Sequence, residues 1–404
     1  MSRLLDLAHE RADKWIWFRR ELHRYPERSL EEEETARKIR EQLDHMRISY
    51  RSDVGGYGIV VEISGGQPGP TIALRADMDA LPIQEQTNLA FASENPGLMH
   101  ACGHDAHTAI LLGVIELLAG ERFAGTVRCL FQPAEEVNTG AKSMIAEKVL
   151  EGVAEIYGLH NLPTLPADYA ATRSGPMMGS VDRIEIILEG KGAHGAIPDQ
   201  GIDPIVCAAA LIQSLQSIVS REISPFSPVV VTIGSVHAGD ANNVIPQYVQ
   251  LAGTVRTFNA GVQQGLSAAL ERIVRGIAAA HRCEASLKYI HQVPVLVNHE
   301  RQVQAVEAVI EATLGSSYHR IAEPLLAGED FSVYLAQVPG CFFWLGSGPE
   351  KAADQAFGLH HPQYELNEAC IPVGMALLAG IALSRLQPSS GGADDDLRTI
   401  CEEP

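Results

Sequence analysis

Asp77, Asp79, Cys102, His104, Glu135, Glu136 and His160 are residue types that hold divalent metal ions, and they fall in four short polar runs. In RADMDALP, Asp77 and Asp79 follow the apolar run TIALR on alternate residues, which suits either a metal's surroundings or helix-capping aspartates. In MHACGHDAHTA, His100, Cys102, His104 and His107 crowd ahead of an apolar stretch. Cys102 and His104, two apart on extended backbone, can aim at one point, and thiolate with imidazole is a donor set for a borderline-soft divalent ion. His107 falls inside the following helix and reads as a satisfied structural histidine, while His100 stays undecided. In FQPAEE, Pro133 stops the ladder of the preceding strand and leaves two adjacent carboxylates. If one binds metal, its neighbour can accept a proton from water. A bare pair of glutamates would be a solvated surface, and only its company changes the reading. His160 ends a strand-like run in YGLHNLP, and FGLHHPQYELNE offers either His360 or His361 to complete the set. Together these thiol, imidazole and carboxylate groups could hold two ions about 3.5 to 4 Å apart, the separation of two-metal hydrolytic sites. Neither a Gly-Xaa-Ser-Xaa-Gly elbow nor a Walker loop occurs, which removes two rival enzyme classes.

The elements that must position these groups are legible as a pattern. Helices are predicted over 4–24 and 30–45, parted at Pro26, with the acidic run of residues 31–34 suiting a helix N-terminus and reading as a solvated face. Strands over 58–64 and 71–75, a helix over 107–119 and strands over 127–132 and 155–159 alternate as a mostly parallel sheet sandwiched by helices requires. In such sheets functional groups gather beyond the carboxyl ends of the strands, so clusters distant in sequence can converge. From about residue 181 the order becomes βαββαβ, with strands near 181–190, 229–236, 248–257 and 285–291 and helices over 202–220 and 262–281. That is the split unit of ferredoxin-like α+β domains, inserted into the larger one. The first pattern resumes after residue 292 with a helix over 301–314, a strand over 341–345 and a helix over 372–386. The expected organisation is therefore a discontinuous domain of 1–180 and 292–386, an insert of 181–291 and a disordered polar tail of 387–404.

A chain of 404 residues exceeds the usual single core, and its formal net charge of −19 argues against a nucleic-acid partner. No uninterrupted apolar run of bilayer length occurs and the first residues carry charges throughout, so neither membrane nor signal segment is expected and the reading is cytoplasmic. Seven scattered cysteines make a disulfide framework improbable, and all but Cys102 read as small buried apolar residues.

The runs RADMDALP, HACGHDAHTA, FQPAEE, GLHNLP, GKGAHGAIP, NNVIP, GTVRTF, GEDF and LHHP, in this order, resemble the hippurate hydrolase and auxin-conjugate amidohydrolase branch of the metallo-aminoacylase and zinc exopeptidase superfamily. The resemblance spans residues 14 to about 385. It implies a zinc-exopeptidase-like fold whose insert serves as a dimerisation domain or lid, in a homodimer or a larger assembly built on it. It implies two divalent ions, Mn, Zn, Co or Ni, held by Cys102, His104, Glu136, His160 and His360, with Cys102 bridging. Glu135 is then the general base and proton carrier, and His194 reaches an active site across the dimer to help hold the developing oxyanion. Asp79 orients a ligand, and Asn243 and Arg256 contact the carboxylate end of the substrate. The implied reaction is cleavage of the amide bond of small N-acyl amino acids. A deaminase using the same site, and a non-catalytic metal-containing binding protein, are the alternatives, the second opposed by the spare carboxylate of Glu135.

Overall fold

Residues whose side chains alternate between two apolar environments set the central layer. The computed structural model describes residues 2–349 and 356–386, and the expected disordered tail, with Cys401, lies outside the described residues. The chain opens with α1 (Ser2–Arg24) and α2 (Glu33–His45), then β1 (Tyr50–Val54), β2 (Gly58–Ser64) and β3 (Gly66–Asp77). Next come α3 (His104–Leu118), β4 (Phe123–Gln132), α4 (Gly140–Ala146), β5 (Val153–Pro166), β6 (Ala170–Thr172) and β7 (Gly175–Met178). A middle stretch holds β8 (Val181–Glu189), β9 (Ala193–His194), α5 (Pro204–Ser217), β10 (Val229–Ala238), β11 (Val244–Ile245), β12 (Tyr248–Thr257), α6 (Ala260–Ala280) and β13 (Glu284–Val293). The chain then returns through β14 (Leu296–Asn298), α7 (Glu300–Leu314), β15 (His319–Ile321), α8 (Phe331–Leu335), β16 (Gly340–Gly348) and α9 (Cys370–Arg385).

The large sheet has eight strands in the order β1-β2-β4-β3-β5-β16-β6-β15. Its centre, β4-β3-β5-β16, is parallel, and β2 and β6 run against it. Period-two alternation divides the strands between two cores. Ile72, Leu74 and Ala76 of β3, with Cys341, Phe343 and Leu345 of β16, face α1, α3 and α9. Ala73, Phe342 and Trp344 face α4 and α8 on the other side. Because α3 and α9 lie deep under the first face, they are apolar almost all round, as fully buried helices must be. The mostly parallel, helix-sandwiched sheet is thus as expected.

Between β7 and β14 lies a separate antiparallel sheet in the order β10-β12-β8-β13, the arrangement of a ferredoxin-like unit, with α5 and α6 packed on one face. The stretch Pro204–Glu222 is, among the described residues, the one helical run long and apolar enough to cross a bilayer, with mean hydropathy 1.2. Its Cys207, Leu211, Leu215 and Ile218 are instead buried in this core.

Three local expectations need correction. His104 does not lie with Cys102 on extended backbone but opens α3 behind left-handed Gly103. The strand expected to stop before His160 continues to Pro166, because its pairing with β16 extends to Gly348. The acidic run before α2 is not uniformly solvated: Glu31, Glu33 and Glu34 are exposed but Glu32 is buried.

Candidate metal centre

The carboxyl ends of β3 and β4 lie side by side, Asp77 opposite Gln132. Beyond Gln132, Pro133 ends the ladder and Ala134 turns the chain at φ +55°, which presents Glu135 and Glu136 at the sheet's rim. A side chain beyond glycine in this left-handed region is strained and must be held by its surroundings. Two carboxylates from outside the turn help hold it, Ala134 N–H donating to Glu32 Oε1 (2.8 Å) and Glu136 N–H to Asp79 Oδ2 (3.0 Å), while Thr139 and Gly140 N–H donate to Ala134 O and Asn138 N–H to Glu135 O. Between β3 and α3, Gly103 takes φ +90°, and a Cβ there would stand 2.1 Å from Asn161 Nδ2. Only glycine lets the chain turn so sharply between Cys102 and His104.

Five expected donors meet here. Cys102 Sγ lies 3.3 Å from both His160 Nε2 and His360 Nε2. Glu136 Oε1 is 3.5 Å from His360 Nε2 and 3.8 Å from His104 Nε2. Ligand atoms of Cys102, His104 and His160 fall within 4.8 Å of one another, and so do those of Cys102, Glu136 and His360. Cys102 belongs to both sets. The outer ring nitrogens explain why the inner ones point inward. His104 Nδ1 donates to Asp79 through its backbone oxygen (3.0 Å) and Oδ1 (3.2 Å), and His160 Nδ1 donates to Asn161 O (2.8 Å). Such bonds fix the tautomer that leaves Nε2 free to bind metal.

The other histidines separate by contact. His107 Nδ1 donates to Asp77 Oδ1 (2.6 Å), and its Nε2 accepts from Asn161 N–H (3.0 Å), so it is a satisfied structural histidine. His361 stands off the set, stacked on Phe357 at 4.3 Å between ring centres. His100 is buried with neither ring nitrogen bonded, and burial pulls its pKa down to about 3.

The residues fit a pair of divalent cations. His104 Nε2 and Glu136 Oε1 are buried without a hydrogen-bond partner, and buried polar atoms need one. Negative groups are in excess. Burial, then the carboxylates of Glu136 and Glu135, hold the Cys102 thiol well above its usual range. Burial, then Glu329, Glu136 and Asp330, do the same to Glu135. Burial opposes a charge on His104, yet Asp77, Asp79 and Glu136 outweigh it and push its pKa up to about 10. Cations among these donors would relieve the crowding and favour the thiolate.

Several residues without a role in the sequence reading hold this arrangement. Buried Arg75 pairs with Asp77 (2.6 Å), Asp330 (2.9 Å) and Glu329 (3.0 Å), and Gln132 donates to Asp330. Asn161 Nδ2 donates to Cys102 O, and its Oδ1 accepts from Ser347 and Tyr364, so one amide links the Cys102 turn to β5, β16 and the His360 loop. Both stand inside the quoted motifs, Arg75 opening RADMD and Asn161 following His160. Metal donors are conspicuous in a sequence by residue type, and buried hydrogen-bonding residues such as these are not.

A cleft of ≈ 390 Å³ opens over the donors, lined by Cys102, Glu135, Glu136, His160 and His360, with Met178, Leu325 and Trp344 as apolar wall. Arg256, from β12, lines the same cleft. Its Nε donates to Thr254 Oγ1 (3.1 Å), and among the described residues no carboxylate is within ion-pair distance of it. Gly328 of GEDF makes the approach possible, since a Cβ there would lie 1.9 Å from Val181 and 3.0 Å from the Arg256 guanidinium. His194 and Asn243 are elsewhere, on and beside the two-stranded antiparallel ribbon of β9 and β11, both side chains exposed and outside the lining of their own chain's cleft.

The profile of the family described as "Peptidase family M20/M25/M40" matches residues 73–384. "N-acetylcysteine deacetylase" of Bacillus subtilis (strain 168) is 43% identical over 92% of this chain and 97% of its own length. "IAA-amino acid hydrolase ILR1-like 2" of Arabidopsis thaliana is 38% identical over 96% of this chain and 89% of that protein. Among solved structures, the Bacillus subtilis YXEP protein, described as a dinuclear metal binding peptidase from the M20 family, superposes with a TM-score of 0.81. It is 38% identical and covers 93% of this chain and 98% of its own.

Proposed function

The chain belongs to peptidase family M20/M25/M40 and is a hydrolase of amide C–N bonds, and from that premise we propose that it cleaves N-acyl amino acids into a carboxylic acid and a free amino acid. The observation that carries this reading is one cleft in which two donor sets share Cys102, Glu135 belongs to neither of those two sets but lies beside His104 and Glu136, and Arg256 has no carboxylate within ion-pair distance among the described residues. A deacetylase of N-acetylcysteine and a hydrolase of an amino-acid conjugate among the relatives support the same substrate class.

Cys102, His104, Glu136, His160 and His360 would hold two divalent ions. When bound, these supply Lewis acidity toward the amide carbonyl and ease the loss of a proton from water. Glu135 accepts that proton and returns it to the leaving amine, a task suited to a carboxyl held above its usual range by burial and by Glu329. Asp79 keeps His104 in the tautomer that presents Nε2. Arg256 grips the carboxylate of the amino-acid part. Replacing it by Ala is expected to lower kcat/KM roughly 10- to 100-fold for N-acyl amino acids, as for loss of a charge-assisted pair, with little change for the same amides lacking the carboxylate. Equal losses on both substrates would remove Arg256 from this contact.

His194 and Asn243 act on a second copy's cleft, with residues 181–291 as the dimerisation domain. The β9/β11 ribbon with exposed His194 and Val244, the edge position of β10 and exposed Ile205, Val206 and Phe226 support this. Mixing and reassembling Glu135→Ala and His194→Ala proteins should then restore roughly a quarter of wild-type turnover, because half the dimers are mixed and each rebuilds one intact site. Turnover no higher than that of the two parents would exclude the exchange.

Free, buried thiols at all six described cysteines suit the reducing cytoplasm. The deciding experiment is a panel of N-acyl amino acids, dipeptides and aromatic amines, assayed with Mn, Zn, Co and Ni supplied separately. Release of an amino acid together with a carboxylic acid supports the proposal, and release of ammonia without a carboxylic acid would replace it with deamination.

A further inference from the structure

We propose that Glu32 is a positioning residue for the general base: from the start of α2 it holds the strained turn that aims Glu135. The proposal rests on the hydrolase reading and deepens it.

Glu32 stands at the N-cap of α2, where a side chain ordinarily accepts from the first amides of its own helix, yet it makes no such bond. Glu27 does that work, accepting from Glu34 N–H (3.1 Å), Thr35 N–H (2.7 Å) and Thr35 Oγ1 (2.9 Å). Glu32 is thereby free to turn inward, and it is fully buried. Its Oε1 accepts from Ala134 N–H at 2.8 Å across 102 residues of sequence, and Oε2 has no partner. Ala134 is the left-handed residue next to Glu135. On the far side of Glu135, Glu136 N–H is held by Asp79, itself braced by Ser29 Oγ at 2.6 Å. The segment carrying Ser29 and Glu32 is tied to the end of β3 by Ala80 N–H on Glu27 O (2.8 Å). The two amides that flank Glu135 therefore each end on a carboxylate from outside the turn.

Burying a second carboxylate near Asp79 costs folding free energy that an apolar side chain of similar size would avoid. The helix does not need it, since Glu27 caps α2. What Glu32 supplies is a fixed acceptor for the amide of the left-handed residue, whose carbonyl is already held by Thr139 and Gly140 N–H, and small misplacements of a catalytic group are costly in rate.

The test compares Glu32→Gln, which keeps an acceptor oxygen at the same reach, with Glu32→Leu, which removes it, each as metal-loaded full-length protein. Glu32→Gln should stay within about threefold of wild-type kcat, while Glu32→Leu should lose roughly 10- to 100-fold in kcat with KM within about twofold and the metal content unchanged. If Glu32→Leu does not fold, Glu32→Asp, one methylene too short, carries the same expectation. Hydrogen exchange over residues 132–141 needs no substrate: it should quicken in Glu32→Leu and stay at the wild-type rate in Glu32→Gln. An unchanged kcat or unchanged exchange in Glu32→Leu overturns the proposal, as does a Glu32→Gln protein as slow as Glu32→Leu. If wild-type protein cleaves no N-acyl amino acid, the hydrolase reading fails instead, and exchange alone decides whether Glu32 holds the turn.

Discussion

Glu135→Gln is expected to lower turnover roughly 10²- to 10⁴-fold while both ions remain bound. The ions should stay because the five donors of the two sets built on Cys102 remain, although Glu135 also lies within 4.8 Å of ligand atoms of His104 and Glu136. Gln also keeps an oxygen where Asp330 N–H now approaches Glu135 Oε1 at 3.5 Å. Stability should hold or rise, since the substitution removes a buried carboxylate crowded by Glu329, Glu136 and Asp330. Turnover, elemental analysis and thermal unfolding on the same preparation check all three. A metal-loaded variant that turns over like wild type would take the proton-transfer role away from Glu135.

Cys102→Ala should be as damaging by a different route. Its thiol is the one donor common to both sets, 3.3 Å from His160 and from His360, so its loss weakens both ions at once. Removing a residue that merely orients a ligand typically costs 10- to 100-fold in metal affinity, so losing a shared ligand should cost more, and turnover should fall about 10³-fold or further. Cys129→Ala, at a buried thiol in the apolar core face of β4 and in neither donor set, is the control and should keep its metal. Chelator competition followed by elemental analysis separates the two. If Cys102→Ala retains both ions at wild-type affinity, the thiol is not the shared ligand.

The donors were legible in the sequence because sulfur, imidazole and paired carboxylates are rare types gathered at predicted strand ends. Cys102, His104, Glu136, His160 and His360 meet as the resemblance implies, and His107 is structural as its helical position suggests. What stayed hidden depends on which face is buried. Glu32 sits in a run of four glutamates, and nothing local separates it from Glu31, Glu33 and Glu34, which face solvent. Its burial is decided by the arrival of Ala134 from the turn after β4. The three- and four-residue strands β6, β7, β14 and β15 are too short to show alternation and exist only through their pairing. The length of β5 beyond Leu159 is hidden for the same reason, since it is set by pairing with β16 that continues past Pro163.

The separation between Cys102 and His360 along the chain has a consequence for biosynthesis. A polypeptide emerging from the ribosome displays Cys102, His104, Glu136 and His160 before the strand beside His160, β16, or the loop bearing His360 has been made. Until then the thiol has fewer companions than it needs, and the parallel core lacks a member. Completion of the donor set that includes His360 is on this account one of the last events in the protein's maturation, and a chain cut short before His360 is unable to assemble the full set of donors.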